Sequence, residues 1–325
     1  MMNTPLASHR VGPWALWGAL ALFAPSWVCA GVTEPATPPN INCQLSPTAG
    51  TVCGLYMDFS GTASTSPAGQ SFSHQPNWFY TSKLYADASK ADSGGGSLAL
   101  LNGTDFATFG ALKSQLSATS TTSGWFSNAP NASAWSNSTL AFQDRLTFKL
   151  AGAPAGTMGT MTGHLLLSGS VDASSANYPF TTSSSSAVVN VLSAGVSANL
   201  HAYGDRAATG NMPSVLTFTL PVQFNTPNFT LLAVQLQTAV NTSALNQYGA
   251  TWVAAANAKF FNSAEWGGID GVFDAQGHAL TDWSVSSASG FDYTRGYAAQ
   301  AVPEPSAWLM LLAGLGLLGL ARRRG

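Results

Sequence analysis

The body of this 325-residue chain reads as all-β, a sandwich or barrel of short antiparallel strands. Three observations predict it. From Val52 onward, short runs alternate apolar and polar residues, the period-two pattern of half-buried strands. Clusters of Gly, Pro, Asn, Asp and Ser break these runs, and no helical pattern alternates with them as a βαβ fold would require. Only 8% of residues are charged, so solubility comes from hydroxyls and amides. Little helix and no internal repeat are expected in the body.

At the start, His9 and Arg10 precede an apolar run from Trp14 to Val28, and Val28-Cys29-Ala30 places small residues where a signal peptidase reads. Residues 1–30 are expected to be a signal peptide cleaved after Ala30, with Val28 and Ala30 recognised and with the Sec export machinery and signal peptidase as partners. Lipidation of Cys29 is disfavoured, because bulky Trp27 stands where a lipobox needs small residues. Residues 31–51 form a Pro- and Thr-rich leader and the start of a hairpin. Export leaves Cys43 and Cys53 in an oxidising compartment, with the turn-forming Ser46-Pro47-Thr48-Ala49-Gly50 between them, so a Cys43–Cys53 disulfide is expected. Their spacing fits neither C-x-x-C nor a zinc knuckle.

Residues 52–300 are the β ectodomain. Its first third carries Phe72, Trp78, Phe79, Tyr80 and Tyr85, with Trp125 and Trp135 beyond. These rings are core candidates first, since a buried aromatic removes ~150–250 Å² from water. If exposed, Trp78, Phe79, Tyr80, Tyr85, Trp125 and Trp135 would stack on the apolar faces of sugars, with nearby Asn and Gln side chains bonding the hydroxyls. Phe106, Phe109, Leu112 and Leu116 recur at near-helical spacing behind Thr104-Asp105, but Gly110 and the Ser/Thr flanks favour strand. Thr139 to Leu150 alternates through Leu140, Phe142, Leu146, Phe148 and Leu150, with an irregularity expected at Asp144-Arg145. Gly152 to Gly156 turns the chain, and Thr160 to Val171 returns.

The run Thr181-Thr182-Ser183-Ser184-Ser185-Ser186 is expected to be a low-complexity loop, before Ala187 to Tyr203 resumes the β pattern. Strands follow at Val215 to Phe224, Phe229 to Val240 and Ala250 to Phe261. Gly267 to Phe273 and His278 to Val285 flank Asp274-Ala275-Gln276-Gly277, which predicts a hairpin with glycine at a positive φ.

The chemistry is sparse. There is no H-E-x-x-H, Walker loop, G-x-S-x-G or EF-hand pattern. His74, His164, His201 and His278 are scattered, with no two at metal-ligand spacing on one element. Asp270, Asp274 and Asp282 are weak calcium candidates, more simply read as turn and edge residues. No catalytic residue and no cofactor is assigned. Between residues 31 and 301, eight Lys/Arg face thirteen Asp/Glu, a net charge of −5. No basic stripe exists to neutralise phosphates, so a nucleic-acid partner is excluded.

The end of the chain has three parts. Val302-Pro303-Glu304-Pro305-Ser306 is extended and polar, because two prolines remove backbone donors and Glu304 resists burial. Residues 307–321 are almost wholly apolar; as a helix they cover roughly 22 Å at ~1.5 Å per residue, enough to cross a ~30 Å core with help from Trp308 and snorkelling arginines. Arg322, Arg323 and Arg324 hold the C-terminus in the cytoplasm. Gly314, Gly316 and Gly319 spell G-x-G-x-x-G, but without a βαβ unit around them.

The tail, residues 301–325, reads VPEPS, AWLMLLAGLGLLGLA and RRRG from Val302 onward and resembles the PEP-CTERM sorting signal of Gram-negative bacteria. The resemblance implies a precursor anchored in the inner membrane with its ectodomain in the periplasm. It further implies that an exosortase acts near the handle and releases or transfers the protein to the outer surface. The order of VQFNTPNFTLLAVQL, AAANAKFFNSAEWGGIDGVFDAQGHAL and SVSSASGFDYTRGY also looks like the distal half of many exosortase-substrate ectodomains, which implies a β-sandwich. The expected function is a non-enzymatic surface or extracellular-matrix protein, structural or adhesive, with exopolysaccharide as a possible partner. A carbohydrate-binding module built on the aromatics is the alternative, and a secreted hydrolase with no recognisable motif the third reading.

Overall fold

The structure is a computed structural model that describes residues 53–297, apart from 66–68, 80, 82, 124–130, 176–179, 205, 207 and 246–249. At 74–77, 211 and 261–263 only the backbone is described. The signal peptide with Val28 and Ala30, Cys43, Tyr80, Trp125, the 302–306 handle, the 307–321 run and Arg322 to Arg324 lie outside the described residues. Among the described residues no helix is long and apolar enough to cross a membrane.

Alternation gives strands throughout. In chain order they are β1 (Gly54–Ser64), β2 (Gln70–Phe79), β3 (Lys83–Gly94), β4 (Ser97–Thr108), β5 (Ala111–Thr122), β6 (Ala132–Leu150), β7 (Met158–Leu167) and β8 (Ser170–Ser175). There follow β9 (Thr181–Val191), β10 (Val196–Tyr203), β11 (Thr209–Asn211), β12 (Val215–Gln223), β13 (Thr230–Ala244), β14 (Trp252–Asp274) and β15 (Trp283–Ser287). They form an eight-stranded sheet, β11-β10-β9-β13-β6-β1-β2 with β15 on β6, and a seven-stranded sheet, β12-β7-β14-β5-β4-β3 with β8 on β14. All named pairs are antiparallel. The two sheets face each other across one apolar core, so of the two predicted architectures the chain adopts the sandwich.

The core is the inward half of each alternation. Leu55, Met57 and Phe59 of β1 and Leu140, Phe142, Leu146 and Phe148 of β6 meet Leu101, Leu112, Leu116, Phe260 and Trp266 of the other sheet, all at 1% exposure or less. A seam of hydroxyls interrupts the oil. Ser114 Oγ lies 2.6 Å from Thr238 Oγ1, and Ser120 Oγ 2.8 Å from Thr242 Oγ1, each pair bridging the sheets.

Three sequence expectations are corrected. The 181–186 run is the first half of β9, not a loop: Thr181, Ser183 and Ser185 turn inward and are buried, and Ser185 Oγ donates to the Asp172 carbonyl at 2.8 Å. β6 has no irregularity at Asp144-Arg145; its register with β13 runs unbroken, and Asp144 takes the inward position between Phe142 and Leu146. The 267–285 hairpin is only partly formed. Asp274 N bonds His278 O at 3.0 Å, and Gly277 sits at φ 85°, but beyond Leu280 the chain crosses over and β15 pairs with β6 of the other sheet. The near-helical stretch is strand as expected, a tight β4–β5 hairpin with Gly110 at φ 82°.

Both ends of the fold meet along β6. β1 occupies one edge of β6 from Ser133 to Gln143, and β15 continues that edge from Leu146 to Leu150. Beyond β15 the chain straps the end of the sandwich. Ala288 N bonds Arg145 O, Trp266 Nε1 donates to Tyr293 O at 2.9 Å, and Tyr297 N donates to Trp266 O at 2.7 Å. Phe291 stacks edge-on against Tyr293 at 4.7 Å and covers Gly110, where any Cβ would strike its ring. The strap therefore links β6 of one sheet to β14 of the other.

Candidate functional site

The sandwich presents two unlike outer faces. On the seven-stranded sheet the outward residues include Lys83, Asp87, Lys113, Asp172, Lys259, Glu265 and Asp270. Among them Lys113 Nζ pairs with Glu265 at 3.0 Å. Strand residues facing outward on the eight-stranded sheet are nearly all Ser, Thr, Asn, Gln and small apolar residues. Its described outward charges are Asp58 on β1 and Arg145 and Lys149 on β6.

The predicted aromatic set is dispersed. Phe72 and Phe79 pack against the core, Phe72 lying 4.7 Å from Phe59. Trp78 stands beside Tyr56 at 5.5 Å on the outer side of the eight-stranded sheet. Trp135 is on the same side and 43% exposed. Tyr85 is 41% exposed but belongs to the opposite sheet, where burial first and Asp87 second push its phenol up. One binding site made of Trp78, Phe79, Tyr85 and Trp135 is not formed, because strand parity and sheet assignment send them to different surfaces.

The calcium candidates are not gathered either. Among the described residues no group of three or more His, Cys, Asp or Glu side chains is placed to hold a metal. Asp270 Oδ1 pairs with His164 Nδ1 at 2.8 Å. Asp274 closes its turn, accepting from the backbone of Gln276 and His278 and facing His278 Nδ1 at 3.0 Å, and these bonds hold its carboxyl below the usual range. Asp282 is exposed on the crossing to β15, where its backbone carbonyl accepts from Ala151 N.

Sequence reading placed two carboxylates, Asp105 and Asp144, at local breaks rather than in the interior. Asp144 is buried beneath the strap, where it accepts from Arg145 N at 2.8 Å, from Ser289 N at 3.1 Å and from Ser289 Oγ. Burial pushes its carboxyl up, against the pull of those donors and the adjacent Tyr293 hydroxyl. Asp105 on β4 is fully buried and pushed up to about 7 by burial, only partly offset by the nearby Ser138 and Ser114 hydroxyls. Neither of its oxygens makes a hydrogen bond of full geometry. Both sit in closed core rather than in a cleft. The phase of β6 could have revealed Asp144, since it falls in step with Leu140, Phe142 and Leu146.

A cavity of about 430 Å³ opens between β12 and β13, lined mainly by Met158, Leu220, Val222, Phe229 and Leu231. No titratable side chain lines it, so it offers apolar surface without acid–base chemistry.

Four residues, 298–301, separate the strap's Tyr297 from Val302. No curated protein matches the chain. Residues 301–324 match the family model of the PEP-CTERM protein-sorting motif. The chain thus carries this motif directly behind an all-β sandwich, and the motif implies an exported protein whose membrane-anchored precursor is processed by an exosortase.

Proposed function

We propose that the protein is a non-enzymatic component of the cell surface or exopolysaccharide matrix, structural or adhesive in role. In this reading a signal peptide ending at Ala30 directs Sec export, a Cys43–Cys53 disulfide closes the start of the ectodomain, and the exosortase delivers the sandwich to the outer surface. The observation that carries it is the join between motif and fold. The strap ends four residues before the handle, at most ~18 Å of extended chain, so the sorted cargo is the sandwich itself.

The sheet edges suit a discrete unit in a crowded matrix. β11 is three residues long, β2 carries Pro76 and a register shift against β1, β3 bears Lys83 and Asp87, and β12 carries Pro221. Each is a device that blocks further strand pairing. Adhesion would then act through side-chain faces.

The test is the intact mass and location of the protein in cells with and without the exosortase. The expected product begins near Gly31, ends near residues 302–306 and is found at the surface or in the matrix. A surface product still ending in Arg322-Arg323-Arg324-Gly325 refutes processing, and a processed product confined to the periplasm refutes the matrix role.

A further inference from the structure

We infer that the outer face of the eight-stranded sheet binds an uncharged polysaccharide across its strands, with Trp135 and Tyr203 as the stacking platforms. The inference rests on the matrix reading above and names the site and ligand class for it. Strand register fixes the arrangement. Thr62, Trp135, Asn241, Ser184 and Tyr203 stand opposite one another on β1, β6, β13, β9 and β10, forming one row perpendicular to the strands. Directly paired side chains share a face, so all five project from the same outer surface. Trp135 is 43% and Tyr203 57% exposed, so each offers a ring surface to solvent from the same row.

The two rings lie three strand spacings apart, about 14 Å at ~4.8 Å per step, a span for a short run of linked pyranose rings. Each ring presents a flat apolar face to sugar C–H groups. Asn241 and Ser184 stand between them to bond hydroxyls. The neighbouring row adds Asn137, Ser186 and His201. Ser60 Oγ donates to Asn137 Oδ1 at 2.8 Å, which fixes the orientation of that amide. His201 stacks on Tyr203 at 6.4 Å and 12°, widening that platform.

Charge selects the ligand. Arg206 is exposed in the turn after Tyr203, its N donating to Tyr203 O at 3.1 Å. On the strands, Asp58 pairs with Thr139, four residues along β6 from Trp135. Arg145 and Lys149 lie ten and fourteen residues along. The paired row of Thr62, Trp135, Asn241, Ser184 and Tyr203 contains no cation to hold a uronate or sulfated polymer, whereas its hydroxyl and amide groups pair with neutral sugars. The geometry also points the row outward. The strap joins β6 at Arg145, so Trp135 stands about 34 Å farther from the tail at ~3.4 Å per residue.

The experiment is affinity electrophoresis of the processed protein, purified from producing cells, in gels containing mixed-linkage β-glucan, galactomannan or alginate. Retardation is expected with at least one uncharged polymer and not with alginate. Trp135→Ala and Tyr203→Ala should each weaken it roughly tenfold, the loss of one stacking contact, at unchanged melting temperature. Tyr85→Ala, on the opposite sheet, should leave it intact. Retardation by neither uncharged polymer, retardation by alginate alone, or Trp135 and Tyr203 variants retarded as strongly as wild type overturns the inference. So does a dimer in solution that Trp135→Ala dissolves, since a second copy then occupies the face. Wild-type protein recovered from the matrix but not retarded refutes the glycan face alone, while absence from the matrix refutes the reading beneath it.

Discussion

Replacing Asp105 with asparagine should stabilise the protein at neutral and alkaline pH and do little in acid. In the folded state burial raises this carboxyl to about 7, whereas an unperturbed aspartate carboxyl titrates at 3.8. The folded form therefore binds the proton more tightly than the unfolded chain, and the contribution of this group to stability is greatest below about 4. It is lost as pH rises from about 4 through about 7, the direction opposite to a salt-bridged carboxylate. The window spans about three pH units, and at ~1.36 kcal/mol per unit the ionised residue costs about 4 kcal/mol above pH 8. Asp105→Asn fills the same volume, carries no charge, and lies beside the hydroxyls of Ser114 and Ser138. At about 2–4 °C per kcal/mol for a fold of this size, the variant should melt roughly 8–16 °C above wild type at pH 8. Near pH 4 the two should nearly coincide. The assay is calorimetry of both proteins across that range. Using the difference between them removes the contribution of Asp144, which is raised in the same direction. Melting temperatures that differ by a constant amount at every pH would refute the assignment of a proton to buried Asp105.

The strap offers a second test. Ser289→Ala removes the hydroxyl donor to buried Asp144 and should cost ~1–3 kcal/mol in urea unfolding, with faster amide exchange over 283–297; an unchanged midpoint and unchanged exchange would show that the strap contributes nothing. The proposed Cys43–Cys53 disulfide offers a third. Cys53 should resist alkylation until the unfolded protein is reduced, and reduction should lower stability by ~3 kcal/mol; labelling of both cysteines without reductant would exclude the bridge.

Strand content was legible because alternation is a local property. Leu140, Phe142, Leu146 and Phe148 announce β6, and the Gly110 and Gly277 turns announce the reversals. Errors arose where one residue type has two physical meanings. A serine run reads as loop because its side chains can solvate themselves, yet in β9 alternate hydroxyls are buried against β8 and the strand remains whole. Asp144 reads as a break because a charge is costly inside, yet the strap supplies its donors from 145 residues away. No local pattern contains that contact. The same limit explains the binding row. Trp135 was visible as an aromatic, but its relation to Tyr203 depends on the register of four strands, a non-local quantity. The sorting motif was fully legible, since a peptide that is cut and membrane-anchored is recognised by linear order alone.

The strap's position has a mechanical meaning for the cell. Among the described residues Tyr297 makes the last contact with the sandwich, and the handle lies beyond it in sequence. If, as proposed, the exosortase cuts at the handle, the described hydrogen bonds and core of the sandwich all lie on the retained side. Tethered and freed forms share one free energy of folding, and a pull on the anchor loads the strap before it reaches the core. In the proposed function, cutting would then change the sandwich's location and leave its fold as it is, with no refolding step in between.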